Sequence, residues 1–214
     1  MKPVEGNIHH LRENYESGEL DITNMYPSPL VQFASWFEEA GKAGIPEPNA
    51  MVLSTVSPDG KPSSRVVLLK EFNGKGFIFF TNYLSKKGHD LEQNPNACLN
   101  FWWGALERQI RISGKIEKIS EKENDEYFYS RPIGSQAGAV ISPQSREIES
   151  REWLEQKFIE IQLKGEIKRP AHWGGYILMP ETLEFWQGRS NRLHDRLVYE
   201  KMEGENWKIK RLAP

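Results

Sequence analysis

The chain reads as a mainly β protein with peripheral α-helices, a closed or split barrel whose strands are mostly antiparallel. Three observations predict this. Roughly seven to nine short runs of strand character follow Ala50, most of them joined by turn residues at hairpin spacing. Roughly three to five helical stretches fall between groups of strands instead of alternating with single strands, which fits a barrel better than a doubly wound sheet. No Gly-x-Gly-x-x-Gly follows a strand, so a Rossmann dinucleotide site is not supported.

Each element has its own signal. Residues 1–27 are polar without a sustained period and read as an N-terminal arm or lid, leaving 28–214 as a single domain. Ser28-Pro29 supplies a cap and a first-turn proline for a helix with Leu30, Phe33, Ala34 and Phe37 on one face, ended by Gly41 and Gly44. Met51–Val56 is a strand closed by the turn Ser57-Pro58-Asp59-Gly60, and Arg65–Leu69 is the next. Asn73-Gly74 signals a hairpin into Phe77–Phe80. A short helix over Ser85–Gln93 stops at Asn94-Pro95, and strands follow near Ala97–Trp103 and Arg108–Ile119.

Ser120 and Glu123 have capping-box spacing and predict a helix to about Arg131, broken by Pro132-Ile133-Gly134 before Ser135. After a loop over 141–148, a second helical stretch carries Trp153, Phe158 and Ile161 on one face. The tail returns to strands at Tyr176–Met179, Leu183–Gln187, Asp195–Lys201 and Trp207–Arg211.

Composition narrows the function classes. The 214 residues are 38% hydrophobic and 27% charged, with a net charge of −2, so no global field favours nucleic acid or an anionic membrane. No run approaches a membrane span, and the start lacks the apolar core of a signal peptide. The single Cys98 forbids an internal disulfide and, in Ala97-Cys98-Leu99, reads as a small buried hydrophobe; a cytoplasmic location is expected. His9, His10, His89, His172 and His194 form no ligand pattern, so no metal is expected, and no Gly-x-Ser-x-Gly elbow is present.

Four clusters could carry chemistry. Strand alternation turns Arg65, Val67 and Leu69 one way and Val66, Leu68 and Lys70 the other, offering cations to two anions; by pattern alone, two charges at the solvated ends of a buried strand is the favoured reading. In Thr81-Asn82-Tyr83-Leu84-Ser85-Lys86-Lys87, two lysines start a helix, where the dipole prefers negative charge. A bound phosphate would reverse that penalty, and a solvated basic loop explains it equally well. Tyr127 and Arg131 share a helical face ahead of Ser135, a set suited to a phosphate ester. Between Trp186 and Arg196 lie three arginines, His194 and Asp195, either a solvated loop or a site for an aromatic anion.

Several separated motifs, in order, resemble the pyridoxine (pyridoxamine) 5′-phosphate oxidases over about Arg12 to Pro214. They are Arg65-Val66-Val67-Leu68-Leu69-Lys70, Leu106-Glu107-Arg108-Gln109, Ser130-Arg131-Pro132, Ser142-Pro143-Gln144-Ser145, Phe185-Trp186-Gln187-Gly188, Arg192-Leu193-His194-Asp195-Arg196 and the ending Arg211-Leu212-Ala213-Pro214. The resemblance implies an FMN-binding split barrel acting as a homodimer with FMN at the interface. It implies that Arg65, Thr81, Lys86, Lys87, Gln144 and Ser145 hold the flavin phosphate and its chain, with Val66, Leu68, Lys70 and Phe80 also in the cofactor site. Gln109, Trp186 and Arg196 match residues near the flavin ring and ribityl chain.

The resemblance further assigns the substrate phosphate to Lys70, Tyr127, Arg131 and Ser135, and the substrate ring to Arg192 and His194, which are the catalytic pair. Arg12 and Tyr15 match a lid over the substrate. The implied reaction moves a hydride from the substrate 4′-carbon to the flavin, with oxygen then reduced to hydrogen peroxide. Lys86 stands where the family often has arginine and Phe80 where it often has tyrosine; lysine keeps the charge but loses the bidentate fork. Another flavin enzyme on the same barrel, or a non-enzymatic carrier of FMN or pyridoxal phosphate, are the alternatives; the phosphate set argues against the first and intact Arg192 and His194 against the second.

Overall fold

The computed structural model describes residues 14–204 and 206–214. Nine strands and five α-helices run among them. The strands are β1 (Ala50–Val56), β2 (Pro62–Leu68), β3 (Glu71–Asn73), β4 (Gly76–Asn82), β5 (Asn96–Trp103), β6 (Arg108–Lys118), β7 (Trp173–Gln187), β8 (Asp195–Lys201) and β9 (Trp207–Leu212). The helices are α1 (Pro29–Lys42), α2 (Lys86–Gln93), α3 (Glu121–Ser130), α4 (Ile133–Ile141) and α5 (Arg151–Leu163). None is long and apolar enough to cross a membrane.

The strands pair in the order β2-β1-β5-β6-β7-β4-β3, with β8 added to β7 and β9 to β8. Every pairing is antiparallel. β2 and β3 sit at opposite ends of the seven-strand path, yet only Leu69 and Lys70 separate them in the chain. Two residues reach about 7 Å, so the sheet must curl until its edges approach. The Lys70 N–H donates to Ile78 O at 2.9 Å and pins that crossing. The result is the expected antiparallel split barrel.

The two C-terminal strands expected at 176–179 and 183–187 are one bent strand, β7. Its first half pairs with β4 and its second with β8, while β6 follows both with a register shift between Ser113 and Gly114. Pro180 lies at the bend, and a Cβ on Gly114 would meet Met179 O at 2.0 Å. Only glycine allows that approach.

The interior is aromatic. Phe33 of α1 packs edge-on against Phe72, Phe77 and Phe101 with centroids 4.9–5.3 Å apart, and α1 thereby fills the barrel. Each such burial stabilises by about 2–3 kcal/mol. α1 starts at Ser28-Pro29 as expected, but its buried stripe runs through Phe33, Trp36 and Ala40. Gly41 lies within its last turn, and Gly44 ends it at φ +69°.

The capping box of Ser120 and Glu123 starts α3. Pro132 does not open a loop as expected; it starts α4, placing Ser135 in that helix's first turn. Proline at a helix start costs no hydrogen bond, because the first N–H groups have no intrahelical acceptor.

Arg169 ties α3 to β7. Its side chain, only 8% exposed, pairs with Glu121 and with Asp125 (2.6 Å), and Nη1 donates to Trp173 O at 3.0 Å. Arg169→Ala is expected to lower stability by about 2 kcal/mol, since both acids reach solvent and only the carbonyl is left buried. A chemical denaturation midpoint equal to that of the parent protein would contradict this.

Candidate active site

A cleft of about 1070 Å³ opens beside β2 and β4, roofed by α3, α4 and the loop after α4. It exceeds the usual drug-sized pocket and has room for a cofactor and a substrate together. Arg65, Val66, Leu68, Lys70, Phe80, Thr81, Lys86, Lys87, Tyr127, Arg131, Ser135, Gln144 and Ser145 all line it. Residues from four separate stretches of sequence (65–70, 80–87, 127–135 and 144–145) thus meet in one place.

One end of the cleft is a hydrogen-bonded cationic network. Ser85 caps α2 and sets Lys87 in its first turn. A Cβ on Gly88 would meet Tyr83 O at 1.9 Å, so glycine is required for this turn to pack. The buried Lys87 Nζ donates to Thr81 Oγ1 and Ser85 Oγ at 3.0 Å and to Gln144 Oε1 at 2.6 Å. Arg65 donates to Leu53 O (3.1 Å), Thr55 Oγ1 (2.8 Å) and Ser63 Oγ (2.5 Å). Buried Asp90 accepts from Thr55 and Ser63 and pairs with Lys86 at 3.2 Å. Burial, and then the Arg65 charge, push the Lys87 ammonium down to about 8. Two neighbouring cations in a partly dry site fit an incoming anion.

The other network is built at the junction of α3 and α4. Arg131 Nη2 donates to Ser135 O at 2.8 Å, and Gln136 holds Arg131 O at 2.8 Å. Arg131 Nη1 is buried and has no partner. An unsatisfied buried guanidinium N–H costs about 1–3 kcal/mol unless something accepts it. Its pKa is lowered by burial. Both features fit a bound phosphate.

Lys70, beyond the end of β2, reaches the same cleft as Arg65 although strand alternation separates them by face. Val66 and Leu68, on the face that alternation gives Lys70, line it too, because β2 pairs only with β1 and presents its free edge, and so both faces, to the cleft.

The remaining predicted residues form a second group outside this cleft. Trp102, Gln109, Trp186 and Arg196 lie in one transverse row across β5, β6, β7 and β8. Gln109 donates to Asn100 Oδ1 at 2.6 Å, and Arg196 pairs with Glu184 at 2.8 Å, which raises its pKa. Tyr15 and His194 pack beside Trp186, with centroids 5.9 and 4.7 Å from it. The Arg189 N–H donates to His194 Nδ1 at 3.1 Å, which leaves the neutral ring's proton on Nε2. Arg192 is exposed at φ +62°, directly after Asn191 at φ +57°. Two consecutive non-glycine residues in this region mark a strained turn of the kind found at functional sites. Arg12 lies outside the described residues.

Comparison with known proteins decides the family. Residues 37–165 match the family described as pyridoxamine 5′-phosphate oxidase, and 173–214 the pyridoxine 5′-phosphate oxidase C-terminal dimerisation region. The chain belongs to the pyridoxine/pyridoxamine 5′-phosphate oxidase family. It is 54% identical over 214 residues to the pyridoxine/pyridoxamine 5′-phosphate oxidase of a Nostoc species, covering 99% of this chain and 100% of the relative. It is 53% identical over 206 residues to that of Cupriavidus necator, covering 95% and 97%. Among solved structures it is similar to PhzG from Burkholderia lata in complex with tetrahydrophenazine-1-carboxylic acid, at 34% identity and TM-score 0.86, covering 92% of this chain and all of the other. An FMN-binding protein of Nostoc punctiforme shares the fold at 16% identity and TM-score 0.73, covering 89% and 100%.

As a member of this oxidase family the chain is an oxidoreductase with a C-terminal dimerisation region. Ser63, Gly138 and Trp173 also line the cleft although no sequence motif included them, and Asn82, Pro132 and Ser142 do so although their motifs gave them no role. Helical spacing of Ile133, Ala137, Val140 and Ile141 could have revealed α4 and with it Gly138. No local pattern points to Trp173, which opens β7 about forty residues after Arg131.

Proposed function

We propose that this chain oxidises pyridoxamine 5′-phosphate and pyridoxine 5′-phosphate to pyridoxal 5′-phosphate, with FMN as cofactor and oxygen as electron acceptor. One observation carries this reading: a single cleft holds two distinct cationic networks, and one of them ends in a buried arginine N–H without an acceptor. Arg65, Lys86 and Lys87, with Thr81, Gln144 and Ser145, would hold the FMN phosphate and chain, and Val66, Leu68, Lys70 and Phe80 would line its bed. Lys70, Tyr127, Arg131 and Ser135 would clamp the substrate phosphate. Bound there, FMN would supply the two-electron acceptor for a hydride from the substrate 4′-carbon, with oxygen as final acceptor and hydrogen peroxide as its product.

The chain's own task is then orientation. With its phosphate clamped, the substrate presents its ring to Arg192 and His194. Arg192 would contact the reacting substituent, and His194, fixed by the Arg189 N–H, would offer Nε2–H. Both lie with Gln109, Trp186 and Arg196 outside the cleft of their own protomer. A homodimer in which each subunit completes its partner's cleft reconciles this with one site, and 173–214 is the dimerisation region. Arg12 and Tyr15 would close over the substrate as the lid.

Lys87 gives a pH signature. Its pKa in the folded protein without ligand is about 8, below the ordinary value of 10.5, so its charged form is disfavoured by folding. Without ligand, stability should therefore rise as pH increases from about 8 towards 10.5. A phosphate favours the ammonium, so FMN affinity should be full below about 8 and fall above it, by up to about tenfold per pH unit. FMN titration by fluorescence quenching from pH 7 to 9.5 measures this, and a flat profile would contradict it.

The function itself is tested by purifying the protein, looking for flavin absorbance, and assaying oxygen-dependent pyridoxal 5′-phosphate formation. A colourless protein without turnover would overturn the proposal. The similarity to PhzG, solved in complex with tetrahydrophenazine-1-carboxylic acid, keeps a second, phosphate-free class of substrate in view. A substrate panel separates the two: a phosphate-free substrate turned over as well as pyridoxamine 5′-phosphate would favour the second.

A further inference from the structure

The cleft contains an aromatic stack in which Phe80 and Tyr127 are joined by Trp173, a residue that no motif includes. Phe80 of β4, Tyr127 of α3 and Trp173 of β7 lie nearly parallel. Phe80 and Tyr127 have centroids 3.9 Å apart at 24°, Phe80 and Trp173 5.4 Å apart at 17°, and Tyr127 and Trp173 are tilted by only 7°. The Arg131 guanidinium lies over the Trp173 ring, with Cζ 4.6 Å from its centroid. Trp173 is 6% exposed and is backed by Phe128 at 5.1 Å, edge to face. Behind it, Arg169 Nη1 holds the Trp173 carbonyl at 3.0 Å.

We infer that Trp173 is a positioning residue that preorganises Arg131 to receive a phosphate. A free arginine side chain has about 2 kcal/mol of rotamer freedom to lose on gripping an anion. Arg131 has lost it beforehand: its plane is fixed by the Trp173 face, Nη2 is spent on Ser135 O, and Nη1 is left buried and unpartnered. No carboxylate pairs with it among the described residues, so the cation is held by a π-face that leaves its positive charge uncompensated. An indole is the strongest such face among the natural side chains. An acidic partner would hold Arg131 as well but would cancel the field that attracts phosphate.

This inference rests on the proposal that Arg131 binds the substrate phosphate, and the experiment separates the two. In the FMN-loaded dimer, Trp173→Leu keeps apolar bulk but removes the π-face. It should raise KM for pyridoxamine 5′-phosphate, and the inhibition constant of inorganic phosphate, by about tenfold, with kcat and FMN affinity within about twofold. Trp173→Phe should recover most of the loss.

Because Trp173→Leu could also perturb packing, fluorinated tryptophans placed at 173 alone provide a second series. They withdraw electron density from the ring face with little change of shape, and the logarithm of the phosphate inhibition constant should rise with each fluorine. If Arg131→Met leaves phosphate affinity unchanged, the functional assignment of Arg131 fails. If Arg131→Met weakens phosphate but the fluorinated series does not, only the role of Trp173 is overturned. A fall in kcat with unchanged KM would also overturn it, placing Trp173 against the reacting ring instead.

Discussion

Replacing Arg192 with alanine is expected to lower kcat by about two to three orders of magnitude while FMN stays bound. The magnitude is that of losing an oriented, charged contact made chiefly in the transition state. Two features make the substitution clean. Arg192 is exposed and makes no described hydrogen bond through its side chain, so little folded-state packing is lost. Its backbone sits at φ +62°, and arginine and alanine pay similar costs there, so the loop should keep its shape. Steady-state turnover with flavin absorbance of the gel-filtered protein provides the readout. Loss of flavin would show that Arg192 belongs to cofactor binding and not to the reacting end of the substrate.

Arg131→Met should cut kcat/KM for pyridoxamine 5′-phosphate by about a hundredfold, corresponding to about 2.7 kcal/mol of charge-assisted hydrogen bonding. Methionine keeps much of the stem's bulk over Trp173 and removes the buried N–H that lacks an acceptor. The free protein should therefore be no less stable than the parent, although catalysis suffers. Unphosphorylated pyridoxamine, which lacks the clamped group, should be nearly indifferent to the change. Equal losses for both substrates would place Arg131 outside the phosphate clamp.

Many of the element types were legible because their signals are local. A cap and a proline started α1, a capping box started α3, and Asn73-Gly74 opened the β3–β4 hairpin. The helix at 133–141 went unread, because Pro132 and two glycines look like breakers, although its apolar residues keep helical spacing. The single bent β7 looked like two strands, because Pro180 interrupts the pattern and only pairing with β6 keeps the chain extended.

The same division holds for the site. Sequence by itself determined the class of the fold, the family, and which cations and aromatics to consider, since each motif carries its chemistry in adjacent residues. Tertiary structure decided which of them meet. Arg65, Lys87 and Gln144 become neighbours only when β2, α2 and the loop after α4 converge. Trp173 comes to lie against Arg131 only because β7 pairs with β4, bringing Trp173 opposite Asn82. Tertiary structure also sets Trp186, Arg192 and His194 at the far end of β7, outside the cleft of their own protomer. Contacts between distant residues depend on strand register and sheet curl, which follow from burial of the whole aromatic core and not from any one stretch of sequence.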